Sequence, residues 1–220
     1  MTPRTGDAAK RFAVDALRKA VLDGDLVSGQ RLVEPELADS LGVSRSSVRA
    51  ALIDLAADGL VERIPNKGSR VRVVPTDEAV AIIECRMMLD ALCAAKAAER
   101  ATEPEIEQLR AIGRRMRQAV EEGEPLKYSE LNDELYRTVR AFSGQPVAPH
   151  LLERLHEQVI RHQFRLSLRP GRPQQWLPEH LALIESIAAH DSAAAEAATR
   201  AHLTSVAAEF RAAAAERESK

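Results

Sequence analysis

The chain has 220 residues, 45% of them apolar and 29% charged, enough for one large domain or two small ones that bury a core and stay soluble. Aromatics are only 3%, and the Ala, Leu and Val that dominate the apolar content favour helices over sheets. A net charge of -2 excludes a global basic field for holding a polyanion, so any such site must be built from local charge.

Residues 1–75 mix periods. "DAAKRFAVDALRKAVLDGDL" predicts an amphipathic helix with Phe12, Leu17, Val21 and Leu22 near one side, stopping at Gly24. "EPELADSLG" predicts a short helix that starts at Glu34 and Pro35 and ends at Gly42. "SRSSVRAALIDLAADG" predicts a third, with Ser44 as N-cap and Gly59 just past its end. "LVERI" and "SRVRVV" then read as short strands joined by a hairpin turn at Pro65, Asn66, Lys67 and Gly68.

Residues 76–220 are predicted helical throughout. Thr76 is the expected cap of a helix to about Arg100, and "TEPE" from Thr102 is a capping box for the next, which ends near Gly123. Further helices are expected from about Pro125 to Phe142 and from about Pro149 to Leu168. "RPGRPQQWLP" is expected to be a loop, with Trp176 a packing anchor in it, followed by helices at about 179–189 and 192–215. The boundary between the two parts falls at Val73 to Thr76. Cys85 and Cys93 are eight apart in one expected helix, about 12 Å along its axis and too far for a disulfide, and read as two small buried residues. No apolar run approaches the roughly 18–20 residues of a membrane span. "MTPRTGDAAK" has no apolar signal region, so a soluble cytoplasmic protein is expected.

The 45–57 helix poses a chemical question. Val48, Ala51, Leu52 and Leu55 cluster on one side, while Arg45, Ser46 and Arg49 occupy an exposed arc at its start. Packing a core does not require that polar, basic start. A duplex would use it: phosphates accept from serine hydroxyls and free helix N–H groups, and arginine bonds guanine in the major groove in bidentate fashion. The hairpin adds Arg63, Lys67, Arg70 and Arg72 against Glu62 alone, and Gly68 lets its backbone approach closely.

"GDLVSGQRLVEPELADSLGVSRSSVRAALIDLAADGLVERIPNKGSRV" resembles the winged helix-turn-helix of the GntR family of bacterial transcription regulators. The resemblance runs through Gly24, Leu32, Leu37, Leu41, Gly42, Ser44, Arg45, Arg49, Leu52, Gly59 and Gly68; Ser28 departs from it, standing where the family often has proline. It implies that Ser44, Arg45, Ser46, Ser47 and Arg49 contact double-stranded DNA and that the wing around Lys67 and Gly68 reaches the minor groove.

The second part resembles the FadR-type effector domain (FCD) through "ECRMMLDALCAAKAAERAT", "LNDELYRTVRAFSGQP" and "EHLALIESIAAHDSAAAEAATRAHL". The resemblance implies a mainly helical protein, a homodimer on a palindromic operator, and a helical bundle around a pocket for a small carboxylate effector. Many relatives hold a divalent metal there on one Asp and three His. The last two histidines fall on His180 and His202, but the first pair falls on Asn132 and Tyr136, a neutral amide and a protonated phenol. Asp133 and Arg137 do not restore the pair, so zinc, nickel or manganese is not expected to bind tightly; His180 and His202 remain weak candidates, or hydrogen-bonded pocket or core groups. Arg86 matches a family arginine near the pocket and can take a carboxylate in bidentate fashion, or pair with Glu84 or Asp90. His156 and Arg161 lie on another pocket helix.

Two other readings compete with a ligand-responsive repressor. One is a metal-dependent enzyme using His180 and His202 with Glu179, against which the chain has no HExxH, nucleophile elbow or phosphate loop. The other is a DNA-binding oligomer with no ligand response.

Overall fold

The computed structural model describes residues 6–218, which divide into two compact units, one up to Val74 and one from Pro75. The fold is mainly helical, with one small sheet in the first unit.

The first unit runs α1 (Gly6–Asp23), β1 (Arg31–Leu32), α2 (Glu34–Leu41), α3 (Arg45–Ala57), β2 (Val61–Ile64) and β3 (Gly68–Val71). Ala9, Ala13, Leu17 and Val21 recur every fourth residue on α1 and are buried. They join Val48, Leu52 and Leu55 of α3 and Leu60, Val61 and Val71 in one core. The expected stripe is therefore displaced at one position: Phe12 is 41% exposed, because alanines at 9 and 13 occupy the inner arc. The α2–α3 turn follows from its end groups. Gly42 takes the left-handed conformation (φ 64°), which few other residues adopt without strain, and lets the chain re-enter α3 after two residues. Ser44 then caps α3, its Oγ accepting the Ser47 N–H at 3.1 Å.

The hairpin forms with Val61 opposite Val71 and Ile64 opposite Gly68. Its third strand, β1, was not expected. It pairs antiparallel with β3 in the order β1-β3-β2, Leu32 opposite Ser69. Two residues carry no period to read, and the pairing is supported from outside the strand, where Gly29 N–H donates to Val71 C=O and Val71 N–H to Gln30 C=O, each at 2.9 Å.

The second unit runs α4 (Thr76–Arg100), α5 (Glu103–Glu121), α6 (Pro125–Phe142), α7 (Ala148–Ser167), α8 (Arg172–Ala188) and α9 (Ser192–Glu218). Helix α4 packs against α6, α7, α8 and α9, and its buried Ala91, Ala94, Ala97 and Ala98 keep those contacts close. The capping box stands as read, the Glu105 carboxylate accepting from the Thr102 N–H and hydroxyl at 2.8 Å each.

Three expectations are corrected. Pro75 holds the N-cap position of α4 and Thr76 is its first helical residue. Cys93 is buried but Cys85 is exposed, because eight residues of helix turn through 80° beyond two full turns and carry the two onto different faces. The segment 172–178 is helix, not loop. Pro173 lies in its first turn, where no intrahelical N–H is needed, and the interior Pro178 is accommodated while Trp176, His180, Leu183, Ile184 and Ile187 bury one face. Tertiary burial thus outweighs a proline-rich local sequence. No helix among the described residues is long and apolar enough to cross a membrane.

Candidate functional site

Two groups of side chains carry chemistry, one in each unit. In the first, capping by Ser44 places the start of α3 outward. Arg45 and Ser46 are exposed, and Ser46 Oγ lies 2.8 Å from Ser44 Oγ. Ser47 corrects the expectation of a DNA contact: it is only 5% exposed and its Oγ is bonded to Ser44 Oγ at 2.8 Å. It faces inward because it sits one turn from the cap, beside the buried Val48. Arg49 is exposed but engaged. Its Nε donates to the two Glu34 carboxylate oxygens at 3.2 and 3.0 Å, and its Nη2 donates to Oε2 at 2.7 Å. The sequence marks Glu34 only as a helix start, and nothing in it links positions fifteen apart across a turn. Arg49 holds the Glu34 carboxyl below its ordinary range, with Arg63 adding to the effect.

The wing turn is built by positive-φ residues, Asn66 at 61° and Gly68 at 86°, and it exposes Lys67 and Gly68. Arg70 is paired with Glu62 at 2.5 Å, leaving Arg63 and Lys67 as the exposed cations next to the turn.

In the second unit, side chains from five helices meet in the interior. Arg86 is 2% exposed and donates through Nη1 to Gln163 Oε1 at 3.0 Å. Asp90, one turn on, is held by Arg140 in bidentate fashion at 2.8 and 3.2 Å, and lies 3.6 Å from Arg86 Nη2. Two guanidiniums therefore share one carboxylate. Burial lowers the Arg86 pKa and the Asp90 charge opposes that, a balance that leaves an arginine ionised.

Around Arg86 stand His180 and His202, ring centroids 4.3 Å apart, with Tyr136 stacked on His202 at 5.9 Å and Trp176 edge-on to it at 5.6 Å. Tyr128 Oη is 2.8 Å from His180 Nδ1, and His202 Nδ1 is 2.7 Å from Glu179 Oε2. Burial pushes both imidazoles down, His202 to about 3 with Arg86 contributing, so both are neutral at pH 7. Burial likewise pushes the Tyr136 phenol up and away from ionisation.

The unmet valences are concentrated here. Arg86 Nε, Asn132 Oδ1, Tyr136 Oη, His156 Nδ1, Trp176 Nε1 and His180 Nε2 are all buried without a hydrogen-bond partner among the described residues. An unpaired buried polar atom costs about 1–3 kcal/mol, so each of these atoms calls for a partner, whether ordered water or a bound molecule. Arg86, Tyr136, His180 and His202 are brought together as expected, and Asn132 lies one turn from Tyr136 on α6. Tyr128, Asp90, Arg140 and Gln163 were not anticipated, and Trp176 belongs to the cluster rather than to a loop. The Arg161 side chain lies outside the described residues.

The same donors do not fit a divalent metal. The neutral His180 and His202 could ligate through Nε2, but the groups beside them are an amide and an unionised phenol, weak donors that bring no anion to the set. Among the described residues no three His, Cys, Asp or Glu side chains form a ligand group.

A helix-turn-helix with a wing, followed by a six-helix bundle with a polar interior, is matched part by part. Residues 9–71 match the family described as "Bacterial regulatory proteins, gntR family", and residues 81–205 match the FCD domain. The chain belongs to the GntR family of regulators that carry an FCD domain. It is 26% identical to the HTH-type transcriptional repressor RspR of Escherichia coli over 190 residues, 86% of this chain and 83% of that one. It is 27% identical to the HTH-type transcriptional regulator LutR of Bacillus subtilis over 208 residues, 84% and 94% of the two chains. Among solved structures, E. coli McbR/YncC shares its fold with a TM-score of 0.76 at 20% identity, covering 94% of this chain and 98% of that one. This GntR regulator is accordingly a DNA-binding transcription regulator, and regulators of this kind are not enzymes.

Proposed function

We propose that this regulator is a repressor that binds a palindromic operator as a homodimer and responds, without a metal, to a small carboxylate held in the interior of the helical unit. The operator is read by Arg45 and Arg49, with Ser44, Ser46 and the Lys67–Gly68 wing on the backbone and minor groove. Repression is supported by the relative named a repressor. The dimer is supported by exposed apolar pairs, Met88 and Leu92 on α4 and Val147 and Leu151 at the start of α7, on segments that pack on each other through Cys93, Ala148 and Leu152. A second copy also supplies the avidity that a chain of net charge -2 lacks.

The carrying observation is the set of unpartnered buried atoms around Arg86. Arg86 offers a guanidinium edge to a carboxylate, while Tyr136, Asn132 and the neutral His180 and His202 offer hydrogen bonds in place of a metal's charge. Ligand binding moves the DNA-reading units only to the extent that its affinity differs between their arrangements. The test is a thermal-shift screen of small mono- and dicarboxylates on metal-stripped protein, followed by operator release. Stabilisation by an acid that also releases operator, lost in Arg86→Met, is expected. No response from any acid would favour a DNA-binding oligomer without an effector, and a response restored only by zinc, nickel or manganese would overturn the metal-free reading.

A further inference from the structure

We propose that Glu34 is a positioning residue for base recognition: it grips Arg49 along the Nε–Nη2 side and presents the outer edge of the guanidinium to a guanine. The inference rests on the assignment of α3 as the base-reading helix. It starts from the three hydrogen bonds between the groups, at 3.2, 3.0 and 2.7 Å, which make the contact side-on rather than a single point of attraction. A guanidinium is a planar fork with five N–H donors. This grip uses the Nε–H and one Nη2–H. The remaining Nη2–H and one Nη1–H lie along the far edge, and that edge is the shape that guanine N7 and O6 accept in bidentate fashion.

Both ends of the grip are anchored. Glu34 is the first residue of α2, its side chain 30% exposed, and α2 is fixed to α3 by the tight turn at Gly42. Arg49 lies on α3 one turn past the cap, its side chain 63% exposed. A long arginine free to rotate loses that freedom when it docks on a base, whereas one already held loses less. Glu34 also has a second effect at this surface. It is an anion on the face that meets phosphates, so it weakens attachment to any duplex that offers Arg49 no base to bond. Orientation and repulsion act together to raise the ratio of specific to non-specific binding, rather than affinity itself.

The test measures binding of the full-length chain to a duplex selected from a random pool, to that duplex with the guanine opposite Arg49 replaced, and to unrelated DNA. Wild type, Glu34→Gln, Glu34→Asp and Arg49→Ala are compared. In Glu34→Gln, binding to unrelated DNA should rise and discrimination against the replaced guanine should fall about tenfold, the lower part of what one bidentate base contact supplies. Glu34→Asp keeps the charge but withdraws the carboxylate by one methylene, so it should bind unrelated DNA like wild type and still lose base discrimination. Equal gains on all three duplexes in Glu34→Gln would overturn the proposal, since Glu34 would then be only a competing anion. Unchanged discrimination in both Glu34 variants would also overturn it. Operator binding left intact by Arg49→Ala would instead refute the assignment of α3, a separate failure.

Discussion

Arg86, Asp90 and Arg140 are a buried group with one positive charge in excess, and this predicts an asymmetry. Removing Asp90 strands two guanidiniums, one of them 2% exposed, so Asp90→Ala should destabilise the helical unit by about 3–5 kcal/mol. Arg86→Met leaves the bidentate Asp90–Arg140 pair intact and should cost far less or even stabilise, while removing any anion response. Urea unfolding of both variants checks this; equal losses would mean that Arg86 holds the cluster together as much as Asp90 does, and would contradict the asymmetry. The buried histidines predict a pH dependence. The folded pKa values of His180 and His202 lie below the ordinary 6.5, so between those values the unfolded chain binds more protons than the folded one. Stability is present above about pH 6.5 and is lost as pH falls toward the folded values, for His202 by on the order of 2 kcal/mol between pH 7 and 5. The raised Glu179 and Asp133 act in the opposite sense in their own range. Unfolding midpoints at pH 7 and 5 should therefore differ less in His202→Gln than in wild type, and an identical difference would contradict the neutral-histidine assignment. The pairs that organise these groups were not legible in the sequence. Asp90 and Arg140 are 50 residues apart, Arg86 and Gln163 are 77 apart, and Glu34 and Arg49 meet across a turn, so no local spacing announces them.

Elements whose ends carry their own chemistry were readable; elements held by neighbours were not. Ser44, Gly42 and the Thr102–Glu105 box each satisfy free backbone groups locally, and α2, α3 and α5 start or stop where those residues stand. Strand β1 exists only as a partner of β3, and the first turns of α8 exist because Trp176 and His180 are buried, so composition concealed both. On the proposed reading the cap of α3 is also the scaffold of the DNA face. Ser44→Ala should destabilise the first unit by about 1 kcal/mol and weaken operator binding, read by melting and titration on the same sample. Unchanged stability would show that Ser46 or water replaces the cap. On the proposed reading the wing supplies charge rather than base contacts. Lys67→Ala should weaken binding evenly across sequences and lower the slope of log affinity against log salt by about one. A sequence-selective loss would place Lys67 on a base.

For the molecule as a whole, the residues proposed to read DNA and the polar interior lie in different compact units. Repression relieved by a carboxylate then requires a dimer whose two arrangements differ in affinity for that carboxylate, with reciprocal coupling between operator and effector. The resemblance of both parts to one regulator family was visible in the glycines, leucines and arginines of the first unit and the helix pattern of the second. The resemblance also implied that Asn132 and Tyr136 stand where many relatives carry metal ligands, but the extent of the unpartnered interior was not visible. The central claim is that the start of α3 reads sequence in a symmetric pair. Selection of bound duplexes from random DNA by the full-length chain, run beside Arg49→Ala, tests it most directly. The account predicts enrichment of an inverted repeat whose half-sites lie a whole number of helical turns apart, about 10–10.5 base pairs each, and no such enrichment by the variant. A pool that stays random with the wild-type chain, or the same repeat recovered with Arg49→Ala, would contradict it.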